Sequence, residues 1–262
     1  MMVEQVLRRD RTLAALALAV VTAAAWAVLL RMHEAMMPGM AKPMDMPGMA
    51  MPSAQGWAFI DVTLLFLMWA VMMVAMMLPS AAPMILLFAS INRARRERAS
   101  PTVPTAIFAA GYLLIWIGFS AVAALSQAGL HQAALLSPSM ATTSPVLGGV
   151  LLVVAGLYQW MPLKSACLGH CRSPVHFLGT EWREGRPGAL VMGLRHGLFC
   201  LGCCWALMTL LFVAGVMNLT WVAAIAALVL VEKVVPKGAW LGRAGGVLLA
   251  AAGVWMLAGR AL

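Results

Sequence analysis

The stretch Gly193 to Met208, GLRHGLFCLGCCWALM, concentrates side chains that can bind a soft metal ion. In a helix, residues four apart share one face, so His196, Cys200 and Cys204 form a stripe with Cys203 and Met208 beside it. A pair one turn apart, such as His196 and Cys200 or Cys200 and Cys204, can chelate a single ion. Any one of these cysteines, taken alone, reads as a small buried apolar residue. Four thiols and imidazoles on one stripe favour a site instead. A second group, Cys167-Leu168-Gly169-His170-Cys171, has the form of a metal half-site, without the second spaced pair of a structural zinc module.

Thioethers make the third group. Eight of the 22 Met fall between Met32 and Met51, and six between Met68 and Met84. Met68, Met72 and Met76 are spaced four apart, with Met73 and Met77 as a neighbouring stripe. Such spacing is more often packing than a pathway, and only the thiols elsewhere argue otherwise. In the first block Pro and Gly recur every few residues between the Met, which reads as a flexible loop over 31–56. Neutral thioethers there, with His33, suit capture of Cu(I).

The elements that must hold these groups are apolar. With 63% hydrophobic and 10% charged residues and a mean hydropathy of +0.91, the 262 residues lack the charge that a soluble surface needs. The net charge of +9 belongs to Lys and Arg punctuating apolar runs, which is a topology signal and not a nucleic-acid footprint. The five cysteines, odd in number and clustered, do not resemble a secreted disulfide framework.

The expected fold is all-α, a single polytopic transmembrane bundle over 1–262 with about seven spans. They begin near Thr12, Trp57, Thr105, Pro145, Ala189, Leu219 and Trp240. Ala23-Ala24-Ala25 resembles a signal cleavage site, but the apolar run continues to Leu30, which favours a retained anchor. Asn218 to Trp221 reads as a tight turn, and the Gly-rich last span permits close helix contact. Placing the N-terminus inside and the C-terminus outside puts 14 of the 18 Lys and Arg on the cytoplasmic side of a bacterial inner membrane. The 31–56 loop is then periplasmic, and a Cys/His-containing loop over 164–187 is cytoplasmic.

In that frame Cys200 lies about 18 Å from the cytoplasmic boundary, and Met68 and Met72 descend to a similar level from the other side. Loop Met, buried Met, buried Cys and His, and then Cys167 and Cys171 would make a trail. Arg195 needs a buried partner, and Glu232, at similar depth, is the expected one.

The blocks WAVMMVAMMLPSAAPM, YQWMPLKSACLGHCRSP, GLRHGLFCLGCCWALMTLLFVAGVMNLTW and VLVEKVVPKG, in this order, resemble an uncharacterised bacterial family of predicted metal-binding integral membrane proteins. The resemblance implies a membrane location and metal binding, with Cys167, Cys171, His196, Cys200, Cys203 and Cys204 as candidate ligands. It implies no reaction. The function expected is soft-metal binding, Cu(I) ahead of Zn(II), in homeostasis, transfer or cuproprotein assembly. Membrane lipid surrounds the chain, and a periplasmic or cytoplasmic metal carrier is the expected partner. No ATP-binding loop or phosphorylated-Asp motif is visible, so any transport would be passive, ion-coupled or chaperone-like. Two rivals stand beside this: a thiol–quinone oxidoreductase, which needs an exposed thiol pair, and a scaffold whose Cys and Met only pack.

Overall fold

A computed structural model describes residues 2–40, 59–97, 104–137 and 140–259, and within these every regular element is a helix, joined by turns and one isolated bridge between Leu136 and Thr142. The first helix, α1 (Met2–Met40), runs through the initial apolar segment and onward, so the first turns of the Met-rich segment are helical in backbone. Residues 41–58, most of that segment, lie outside the described residues. α2 (Phe59–Glu97) contains Pro79 and Pro83 without ending at either. Pro79 has no N–H, so the Ala75 carbonyl one turn earlier loses its helical donor. The Trp26 indole of α1 supplies one, at 3.2 Å. The carbonyl freed by Pro79 thereby becomes a docking point for α1.

α3 (Thr105–Gln132) and α4 (Pro145–Tyr158) follow, the latter capped by Ser144, whose hydroxyl accepts from the Leu147 N–H, with Pro145 at its first position. The segment expected as a 164–187 loop folds as two helices, α5 (Pro162–Arg172) and α6 (Pro174–Glu181). Pro162 and Pro174 sit in the first turn of each, where a missing N–H costs nothing. On α5, Lys164, Leu168 and Cys171 are buried, the i, i+4, i+7 stripe of a helix lying on a core. α7 (Gly185–Thr209) is continued by the short α8 (Leu211–Ala214), which stops at Gly215 with φ of +91°, a conformation that suits glycine. Asn218 caps α9 (Leu219–Val234), as the expected tight turn requires, and α10 (Gly238–Ala258) completes the bundle.

Five helical segments are long and apolar enough to cross a membrane: Thr12–Ala35, Ile60–Arg95, Thr105–Gln132, Gly185–Ala214 and Gly238–Ala258. α4 and α5, bent by 63°, make a sixth if taken as one broken span. This is close to the expected seven; the shortfall is α9, whose 16 residues rise only about 24 Å against a core of about 30 Å.

Two helix pairs approach closely because glycine lines them. α4 meets α10 where Gly149 and Gly156 face Gly253 and Gly246, the contact expected of a Gly-rich last span. α3 meets α7 at Gly111, Gly193 and Gly197. A Cβ on Gly193 would overlap the Phe108 carbonyl oxygen, and one on Gly197 would stand 2.8 Å from Ile115 Cγ1. Gly193 and Gly197 are a G-x-x-x-G pair, so the residues that let α7 approach α3 alternate with those that carry the ligand stripe.

Candidate metal centre

The thiols of α7 sit where four other helices converge. Cys200, Cys203 and Cys204 are buried, Cys200 completely. Cys171 of α5, a helix packed on α7, is buried too, and the Cys200 sulfur has polar neighbours on other helices. Tyr112 Oη of α3 lies at 3.1 Å, and Lys233 Nζ of α9 donates to it at 2.9 Å. The same ammonium donates to Ser80 Oγ of α2 at 2.9 Å, and Tyr112 Oη donates to the Met77 carbonyl at 3.0 Å. Cys203 and Cys204 also direct their S–H groups at the Cys200 carbonyl, at 3.1 and 3.0 Å. α3 and α9 thus meet at this sulfur of α7, and α2 reaches it through Lys233 and Tyr112.

His196, one turn before Cys200, is 2% exposed, and neither ring nitrogen has a hydrogen-bond partner. Its ring is held by Phe108, Tyr112 and Phe177, with centroids 6.1, 5.4 and 5.5 Å away. Buried polar groups are nearly always paired, so an imidazole held in an aromatic box with both nitrogens unpartnered calls for an explanation. A position next to thiols that could receive an ion offers one. Among the described residues no group of three or more His, Cys, Asp or Glu is placed to hold a metal ion as the side chains stand.

α5 packs on α7, so Cys171 is buried alongside the α7 thiols and the two groups of cysteines, expected to be separate, adjoin. Cys167 stays partly exposed, its sulfur lodged at Gly202, where a Cβ would come within 2.7 Å. His170 is directed elsewhere: its ring stacks on Phe199 at 4.1 Å and Nδ1 bonds to the Ala166 carbonyl. Met68, Met72 and Met76 are buried in the core with Met73 and Met77. α2 touches the thiols through the Met77 carbonyl, by way of Tyr112, and through Ser80. His33 contacts the Met217 carbonyl at 3.1 Å.

The expected pair of Arg195 with Glu232 does not form. Arg195, with its side chain 43% exposed, pairs with Glu181 at the end of α6, a helix that the loop reading did not contain. Glu232 pairs with Lys164 Nζ, 2.7 Å from both carboxylate oxygens, and Gln159 Oε1 accepts from the same ammonium. Adjacent side chains on a helix point about 100° apart. Glu232 therefore faces α4, α5 and α10 while Lys233 faces the thiols. Because the Arg195 pair is half-solvated, Arg195→Ala is expected to lower stability by less than about 1 kcal/mol in a denaturant titration.

A family model described as a copper chaperone, PpoB2, matches residues 66–256. The chain belongs to this family. The match covers most of the chain, includes every thiol and begins after the Met-rich 32–51 block. No curated protein and no solved structure matches it. Membership gives the metal-related resemblance a definite element, copper. Within this member of the family, Tyr112, Ser80 and Lys233 surround the thiols and were not among the residues singled out from the sequence. The Lys233 position had a usable signal: a Glu-Lys dipeptide late in an apolar helix must send its two charges to two different neighbours.

Proposed function

We propose that the chain is a membrane-embedded chaperone that holds Cu(I) between α5 and α7 and passes it to a carrier or to a copper enzyme under assembly. The observation that carries this reading is the burial of Cys171, Cys200, Cys203 and Cys204 where α5 packs on α7, beside the unpartnered His196. Copper here is cargo. Cu(I) is served by two or three soft ligands, and thiolates with a neutral imidazole suit it. Lys233 offsets negative charge on Cys200, which lets a thiolate persist in a low-dielectric interior. Tyr112 and Ser80 hold Cys200 and Lys233 in position from the neighbouring helices.

The inside orientation of the N-terminus, from the Lys and Arg distribution, directs α5 and Cys167 to the cytoplasmic side and the 41–58 segment to the periplasm of a bacterial inner membrane. Thioethers of that segment then collect the ion, and buried Met68, Met72 and Met76 line its approach. The oxidoreductase rival is weakened because Cys171 is buried and so cannot form an exposed dithiol with Cys167.

The test is anaerobic metal analysis of the purified full-length protein. Wild type is expected to carry stoichiometric Cu(I), and Cys200→Ser/Cys204→Ser to lose it while keeping its helical circular dichroism. A wild type that stays copper-free under copper-replete conditions would refute the reading.

A further inference from the structure

Four of the five thiols are buried, and an ion held by them alone has no path to an acceptor without a ligand that reaches both the cluster and the surface. Cys167 has that position. It is the one thiol with partial exposure, and it lies one helical turn before Cys171 on α5. Its sulfur occupies the notch left by Gly202, the residue immediately before Cys203 on α7. The notch is well defined: the Gly202 carbonyl accepts a hydrogen bond from Tyr158 Oη of α4, which ties that turn of α7 to its neighbours. Any side chain at 202 would push the Cys167 sulfur off α7.

We infer that Cys167 is the transfer thiol of the site, the ligand through which Cu(I) leaves or enters the buried cluster. This rests on the proposed copper-holding role of that cluster. In the step, a Cu–S bond to Cys167 forms as the Cu–S bond to Cys203 breaks. The proton released by the incoming thiol passes to the outgoing one, and copper remains Cu(I) throughout. The acceptor, a soft-ligand carrier or a chelator, then displaces Cys167 in the same way. Cys167 thereby governs the rate of exchange, while Cys171, Cys200, Cys203 and Cys204 govern the equilibrium affinity.

The experiment loads the full-length protein in lipid nanodiscs with Cu(I) under anaerobic conditions and mixes it with a water-soluble Cu(I) chelator, bathocuproine disulfonate. Cys167→Ser is expected to keep wild-type copper stoichiometry and an affinity within about threefold. Its release rate is expected to fall at least about tenfold. Gly202→Ala, which retains every thiol but displaces the Cys167 sulfur, is expected to slow release in the same direction. Maleimide is expected to label Cys167 ahead of the other thiols in the metal-free protein, and loading with Cu(I) to slow that labelling. Release from Cys167→Ser at the wild-type rate overturns the inference, as does loss of stoichiometric copper from that variant, since Cys167 would then be an ordinary ligand. Wild-type protein that binds no copper removes the reading beneath it, a different and separable outcome.

Discussion

Glu232→Leu or Lys164→Met, made singly, is expected to cost the bundle about 3–5 kcal/mol, whereas Lys164→Met with Glu232→Leu costs less than either. Both side chains are almost fully buried, at 4% and 1% exposure for Lys164 and Glu232. Removing one charge strands the other in a low-dielectric interior, while removing both leaves apolar groups of similar volume. The site has been built around the pair. Gln159 takes a further hydrogen of the ammonium, and a Cβ on Gly242 would overlap Glu232 Oε1, so α10 must present a glycine there. The pair joins α5 to α9, the helices that bring Cys171 and Lys233 to Cys200. The measurement is Trp fluorescence during unfolding by SDS from mixed micelles, with the singles and the double treated as a cycle. A double variant less stable than both singles would show that the pair itself stabilises the bundle.

Gly193→Val is expected to be more disruptive than any single thiol substitution, with loss of about 3 kcal/mol or more. The added carbons meet the Phe108 carbonyl oxygen and the Gly111 Cα, which are backbone atoms of α3 and cannot rotate away. α3 and α7 would have to separate, which moves Tyr112 from Cys200 and opens the aromatic box around His196. Gly118→Ala on the same helix α3 is the matched control. A Cβ there meets nothing within 4 Å, so the change is expected to be neutral or slightly stabilising through helix propensity. Monodispersity and thermal unfolding of the two variants in detergent separate these outcomes. Equal stability would mean that the α3–α7 crossing relaxes more easily than close backbone packing permits.

These expectations divide along a line that particular residues make clear. The α7 stripe was legible because helical periodicity alone puts His196, Cys200 and Cys204 on one face, and the burial of that face followed from its apolar surroundings. The Asn218 turn and the glycine contact of α10 were legible for the same reason, since each depends on residues close together in the chain. α5 was not. Its basic and polar residues at 164–187 resembled a solvated loop, and only the packing of α5 on α7 turns Lys164, Leu168 and Cys171 into a buried stripe. The error in the Arg195 assignment follows from that one omission: without α5 and α6, neither Lys164 nor Glu181 was available, and depth alone matched Arg195 to Glu232.

By itself the sequence determined that the protein is an all-α bundle of apolar helices and that His196, Cys200 and Cys204 lie on one face of one helix, because hydropathy and period are properties of consecutive residues. The tertiary structure decided that Cys171 joins that face, that Lys233 and Tyr112 meet Cys200 and that Cys167 remains at the edge. Those contacts depend on how helices far apart in sequence pack. Glycine-lined crossings, a proline-freed carbonyl and one buried ion pair set that packing, and none of the three is visible in the spacing of the ligands themselves.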